Sequence, residues 1–383
     1  MLFILPLCGG NEDRFCKPLT IVNGKTILEL SLENIVIDSS INVIFIIKEI
    51  HKLNYSLDTY ITNSFSNKYN VTIITCDYTT QSMPETIMLA RDKILDFDNE
   101  QIIIHTPYIY LSEKLILNKL SGNLIVTFKS NSNFHSYAKI DDNNNVLKVE
   151  EKKVISENAL IGLYCFTDGK LLLYYLKKMF DTGIKFNNKF YISLLYNLLV
   201  QDKIDVKNYN IKYMYPLGTK NEQLLIERLY FNKLDKYKII GLASDHSGYK
   251  AKSSMIKVLQ NMNIKFIDYG CFSDKNCDYY EYIDSVCNDI KNNKIQYGFG
   301  FCRTGQGVNI CANKHKHIVS ALIYDNFSAQ MSVEHNGANF FCFPENGSNF
   351  DKLNNYINII LNHTFNGGRF LSRLIKMYPS IYE

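Results

Sequence analysis

Four groups of residues in the last third of the chain are of types that move protons and hold anions. Cys302 closes an apolar run, Tyr297 to Phe301, that reads as a strand; a loop with Gly305 and Gly307 follows, and then a segment that reads as a helix. A thiol at such a hand-over meets a row of backbone N–H groups, and this nest together with the positive helix end stabilises anions and lowers a thiol's pKa. The place suits a thiolate base and a developing oxyanion. A buried cysteine beside a tight turn fits the same pattern, because Gly-rich strand-to-helix loops are common. Asp245 and His246 end a second strand before Gly248 and a helix, either as ligands for hydroxyls and phosphate or as a plain turn. Glu334, His335 and Asn336 stand at a helix end, where His335 is an acid/base or a cap on helix carbonyls. Arg369 and Arg373, behind Gly367 and Gly368, fall four residues apart on one helix face. They suit a dianionic phosphate through charge-assisted bonds, a solvated basic face being the alternative.

These side chains need strands that end together, and the rest of the chain has that rhythm. Over residues 1 to about 230, β-branched runs of strand length occur at 2–7, 42–48, 70–76, 101–106, 124–129 and 159–166. Helical stretches at 27–35 and 85–95 lie between them, the pattern of a wound α/β sheet. A polar turn, IDDNNNVLKV (140–149), predicts a hairpin, and 222–238 reads as a connecting helix and linker. The boundary falls near residue 235, giving domains 1–235 and 236–383.

From about Lys238 onward the chain resembles the type B ribose-5-phosphate isomerase family, which includes galactose-6-phosphate isomerase subunits. The resemblance runs in order through SDHSG, IDYG, Asp278-Tyr279, CRTGQG, ANK, SA, EHN-x-AN and GGR-x-x-x-R. It implies a Rossmann-like parallel α/β/α sandwich and aldose–ketose isomerisation through a cis-enediolate, with no cofactor. Cys302 matches the base and His335 the acid/base that opens the sugar ring, with Thr304 in the same catalytic set. Asp245, His246, Gly305, Gly307, Asn336, Arg369 and Arg373 match the substrate-holding set, to which Arg303 adds a cation that supplies phosphate or carboxylate recognition or else obstructs the pocket, and the amides from Arg303 to Val308 match the anion hole. Losing one such donor typically costs ~10²–10³ in rate. In the family the site forms between two subunits, which implies at least a homodimer. Four departures bear on the substrate: Arg303 replaces a glycine, Phe370 a histidine, Asn346 an arginine and Tyr280 a proline. Together they suggest a substrate other than plain ribose 5-phosphate, or slow turnover.

Residues 1 to about 230 are similar to sugar-phosphate nucleotidyltransferases, a mixed-sheet fold. The resemblance begins in CGGNEDRFCKPLTIVNGKTILELSLENI and continues through QSMPETIMLA, HSYAKIDDNNNVLKVEEKKVIS, IGLYCF, NKFYISLLYN and PLGTKNEQL. It implies nucleotide phosphates held by Gly9, Gly10, Arg14 and Lys17. Here too the chain departs from the pattern. A third loop glycine is replaced by Glu12, with Asp13 beside it, and two carboxylates repel a triphosphate. Nucleotidyl transfer needs Mg²⁺ on aspartates, whereas Tyr108 and Pro216 stand at the two expected places. An altered or inactive domain that binds a sugar nucleotide, a partner or the second domain is expected; Mg²⁺ enters only if it is active.

Composition narrows the partners. The 46% hydrophobic and 21% charged content over 383 residues is that of a globular chain of two or three domains. A net charge of +4, from 42 basic and 38 acidic residues without a basic stripe, disfavours nucleic acid. The ten cysteines show no repeated close pair of metal-site spacing and read as reduced thiols of a cytoplasmic protein. MLFILPLCGG lacks a basic n-region and reads as a first strand, not a signal peptide, and no run is long enough to span a membrane.

Overall fold

The computed structural model describes residues 1–8, 16–37, 41–227, 239–366, 370, 373 and 374. Two compact units emerge, Met1–Thr219 and Lys220–Glu383. The expected division at 235/236 lies outside the described residues, as do Gly9, Gly10, Glu12, Asp13, Arg14, Gly367, Gly368 and Arg369.

In the first unit the strands Asn70–Cys76, Asn42–Lys48, Leu2–Pro6 and Ile102–His105 lie side by side in that order, all parallel. Leu2–Pro6 is buried at every position, with Phe3 and Leu5 in one core and Leu2 and Ile4 in the other. A strand covered on both faces has no polar side to show, hence its unbroken apolar run. Past Ile102–His105 the sheet turns antiparallel through Asn158–Phe166, Leu124–Lys129 and the predicted hairpin, Tyr137–Ile140 with Val146–Glu150. The hairpin turn is held by the Asp141 carboxylate, which accepts from the N–H groups of Asn143 and Asn145. The sheet is thus mixed, as the sequence resemblance implied.

The single helix expected over 85–95 is instead two, Met83–Met88 and Arg91–Leu95. The N–H groups of Leu89 and Ala90 bond three residues back, to Thr86 and Ile87, so the first helix closes in a tight turn. No helix among the described residues is long and apolar enough to cross a membrane.

The second unit is built on a five-stranded, wholly parallel sheet in the order Phe266–Gly270, Ile240–Ser244, Tyr297–Cys302, Phe340–Pro344, Ser320–Leu322. Helices Tyr249–Asn261 and Phe350–Asn362 bury Met255, Val258, Leu259, Leu353, Ile357 and Ile360 in a core with Phe299, Phe301, Phe341 and Phe343. Helices Tyr280–Lys291 and Gln306–Ala312 bury Ile283, Val286 and Val308 in a separate core. Three layers result. The chain leaves the strand Ile240–Ser244 toward one side of the sheet and the strand Tyr297–Cys302 toward the other. Between their carboxyl ends lies the crevice where open parallel sheets bind ligands.

Candidate active site

That crevice collects Asp245, His246, Cys302 and Thr304 from the residues singled out in the sequence. The two strands run in register with Ser244 opposite Phe301, so Asp245 and Cys302 follow each other across the sheet end. The Asp245 N–H donates to the Phe301 carbonyl at 3.3 Å, and the Asp245 carboxylate accepts from the Gly248 N–H at 2.7 Å. A Cβ on Gly248 would come within 2.4 Å of the Phe301 carbonyl and 2.7 Å of the Cys302 nitrogen, so only glycine lets this turn rest on the neighbouring strand. His246 commits Nδ1 to the backbone of Cys277, 3.0 Å from its carbonyl and 3.3 Å from its nitrogen. Whichever tautomer is present, Nε2 is the nitrogen left to meet a ligand.

The loop after Cys302 is shaped by Gly305, which takes φ +72°, the left-handed region that favours glycine. Arg303 is not among the described residues of positive φ, so its side chain is carried without backbone strain and is exposed. The Thr304 hydroxyl accepts from the Gln306 N–H at 3.3 Å as the helix Gln306–Ala312 begins. The first N–H groups of a helix have no partner inside it, so this turn supplies donors beside Cys302.

Tyr279 completes this side of the site and was quoted in sequence only as part of a motif. A Cβ on Gly307 would lie 2.8 Å from the Tyr279 hydroxyl, so that phenol packs directly on the loop. Burial pushes its pKa up, and negative charge on Cys311, Asp278, Cys302 or Asp245 pushes the same way. The Cys277 thiol, whose backbone holds His246, is pushed up to about 11 by burial and by a hydrogen bond with Cys271. Fully buried Lys252, on the helix Tyr249–Asn261, pairs with the Asp268 carboxylate and donates to the Cys271 carbonyl at 2.7 Å, tying the start of that helix to the end of the strand Phe266–Gly270.

His335 lies elsewhere in the unit. It caps the helix Asn326–Glu334 and lines a cavity of about 420 Å³ with Asn313, Val319, Ser320, Asn336, Phe370, Arg373 and Leu374. Cys302, Asp245 and His246 do not line it. Asn313 shapes the wall by accepting from the Ser320 N–H and donating to its carbonyl, both at 3.0 Å. Glu334 anchors the segment that leads to Phe370 and Arg373. Burial pushes its carboxyl up, but hydrogen bonds from Gln330, His363 and Asn366 outweigh that and hold it below its ordinary value. The sequence set is therefore distributed between two places, the thiol, aspartate and first histidine at the crevice and the second histidine and arginine at the cavity.

In the first unit, Lys17, Tyr108 and the segment at Pro216 come together. The Lys17 ammonium lies 5.2 Å from the centre of the Tyr108 ring, and the Leu217 N–H, next to Pro216, donates to the Tyr108 carbonyl at 2.7 Å. A phenol ring and a proline are not ligands for Mg²⁺, and no group of three or more His, Cys, Asp or Glu suited to a metal ion occurs among the described residues. These residues do not fit a two-aspartate metal centre.

Comparison with known proteins bears on the family of the second unit and on the fold of the first. The family model described as Ribose/Galactose Isomerase matches residues 240–377. A Bacillus subtilis protein designated a candidate sugar phosphate isomerase is 32% identical over 145 residues, 38% of this chain and 96% of the relative. The ribose-5-phosphate isomerase B of Escherichia coli is 28% identical over 137 residues, 36% of this chain and 92% of the relative. Among solved structures, a nucleoside-diphosphate-sugar pyrophosphorylase from Vibrio cholerae covers 59% of this chain and 99% of its own, with TM-score 0.51 and 17% identity. That likeness concerns the fold.

Proposed function

From the premise that this chain belongs, through residues 240–377, to the ribose/galactose isomerase family, we propose that its C-terminal unit interconverts an aldose phosphate and a ketose phosphate. The observation that carries the reading is the placing of Cys302 at the sheet's switch point, beside Asp245 and under the Gly305–Gly307 turn. In the aldose direction the Cys302 thiolate removes the C2 proton, giving a cis-enediolate, and the proton is returned to C1. Negative charge developing on O1 is met by amides of the Thr304–Gly307 turn, with Asp245 and His246 on the sugar hydroxyls. His335 opens the sugar ring, while Asn336 and Arg373, joined by Arg369, hold the far end with its phosphate. The chemistry assigned here uses side chains and backbone amides alone. A pentose phosphate or a close relative is the substrate class, with Arg303 adding a cation at the loop.

The reading includes a homodimer, in which the crevice of one copy is completed by the His335 cavity of the other. Co-expression tests it with the cyclic aldose phosphate as substrate: Cys302→Ala and His335→Ala chains, each inactive alone on it, should together recover roughly a quarter of wild-type activity, since half the dimers are mixed and each carries one intact site. No recovery above the single variants would argue for a site within one chain.

The direct test of the isomerase is proton exchange. The purified protein in D₂O, given pentose, hexose and heptose phosphates, should incorporate deuterium at C1 or C2 of one of them by NMR. Absence of exchange with all of them overturns the isomerase reading.

For the first unit we propose nucleotide or sugar-nucleotide binding without transfer, because Tyr108 and Pro216 stand where the metal-holding aspartates are expected, while Lys17 is kept beside the Tyr108 ring. Joined to an isomerase, such a unit suits the making of an activated sugar for a surface glycan. Failure of the whole protein to bind any nucleotide or sugar nucleotide by calorimetry would remove that role. Mg²⁺-dependent release of pyrophosphate would instead make the unit a working nucleotidyltransferase.

A further inference from the structure

The imidazole of His335 and the ring of Phe370 are stacked, with centroids 3.8 Å apart and planes 14° from parallel. The Arg373 guanidinium lies 5.8 Å from the Phe370 centroid, and all three side chains line the same cavity of about 420 Å³. Both nitrogens of an imidazole lie in the ring plane, so a face-on aromatic partner fixes the plane without competing for either nitrogen. Left alone, the last torsion of histidine is broad. Phe370 narrows it.

We propose that Phe370 is a positioning residue for ring opening. It sets the His335 plane so that a nitrogen meets the ring oxygen of a cyclic sugar phosphate, while Arg373 on the same segment holds the phosphate. This rests on the isomerase reading above. Ring opening moves one proton onto the ring oxygen as the anomeric hydroxyl loses one and the C1–O bond to the ring breaks; no oxidant or further reactant enters.

The inference separates two substrates of one reaction. An aldopentose 5-phosphate is mostly cyclic and needs opening. A ketopentose 5-phosphate is open-chain, because its ring-closing hydroxyl carries the phosphate. In Phe370→Leu, kcat for the aldose should fall about 10-fold or more with KM changed less than about twofold, the loss expected when an acid/base is misaligned. Deuterium exchange at C1 of the ketose, which does not call on His335, should be unchanged. Phe370→Tyr, which keeps the ring face, should restore the aldose rate. Equal losses on both substrates would show a merely structural role and overturn the inference, as would no loss on either or a Phe370→Tyr protein as slow as Phe370→Leu. A wild-type protein without exchange on either pentose phosphate would overturn the isomerase reading and this inference with it, an outcome distinct from the others.

Discussion

Replacing Cys302 with alanine is expected to lower proton exchange between C1 and C2 by at least ~10²-fold while substrate binding is largely kept. The change removes one sulfur from a side chain that is 5% exposed and leaves the backbone bonds of the loop in place. The Glu345 N–H still meets the Cys302 carbonyl at 2.9 Å, the Asn346 N–H still meets that of Arg303 at 3.2 Å, and Gly305 keeps its turn. The anion-holding amides therefore remain where they were, and the lost rate reports the base. Isotope exchange by NMR with calorimetric binding checks this. A variant as fast as the wild type would take Cys302 out of the mechanism.

The second large effect is on stability. Asp268→Ala should cost the C-terminal unit ~3–5 kcal/mol, because it leaves the Lys252 ammonium buried without its counter-ion. What remains around that charge is the Cys271 carbonyl and the ring faces of Tyr249 and Phe272, at 5.9 and 5.3 Å. Lys252→Met should cost less. It takes away the buried charge itself, and Asp268 is a quarter exposed and keeps the Gly270 N–H at 3.0 Å. With two units in one chain a single melting midpoint would blur the comparison, so hydrogen exchange of the Ile240–Ser244 amides is the suitable probe. The opposite order of the two variants would show that the pair is not what ties this helix to the strand end.

Much of this was legible in the sequence because strand ends announce themselves. An apolar run, then a polar residue, then glycine marks where a side chain is presented, and Asp245 and Cys302 were found that way. That they are neighbours follows from strand order, which periodicity does not encode. Lys252 was not legible. It lies on the helical stripe of Met255 and Leu259, where a lysine reads as a lapse in the pattern until Asp268 and the Cys271 carbonyl are seen to receive it. Tyr279 was quoted for its motif but not for its contact, since nothing in a sequence says that a phenol will rest on Gly307. Phe370 was read as a lost histidine, and its stack on His335 became visible only with both rings placed. The break at Leu89–Ala90 escaped notice because neither residue is a helix breaker.

The all-parallel sheet that creates the crevice also fixes when the crevice can exist. Each neighbouring pair of strands is joined through at least one helix, so no local hairpin can start the unit, and such non-local pairing is intrinsically slow. A growing chain that has just released Cys302 holds the thiol on a strand lined with Phe299 and Phe301, while its outer neighbour, Phe340–Pro344, has yet to be made. Until that strand arrives, this strand is a bare, aromatic-rich edge, the kind that pairs with other chains. The stretch that presents the reactive sulfur is thus also where misassembly during synthesis would begin, and crowding at the ribosome would be felt there first.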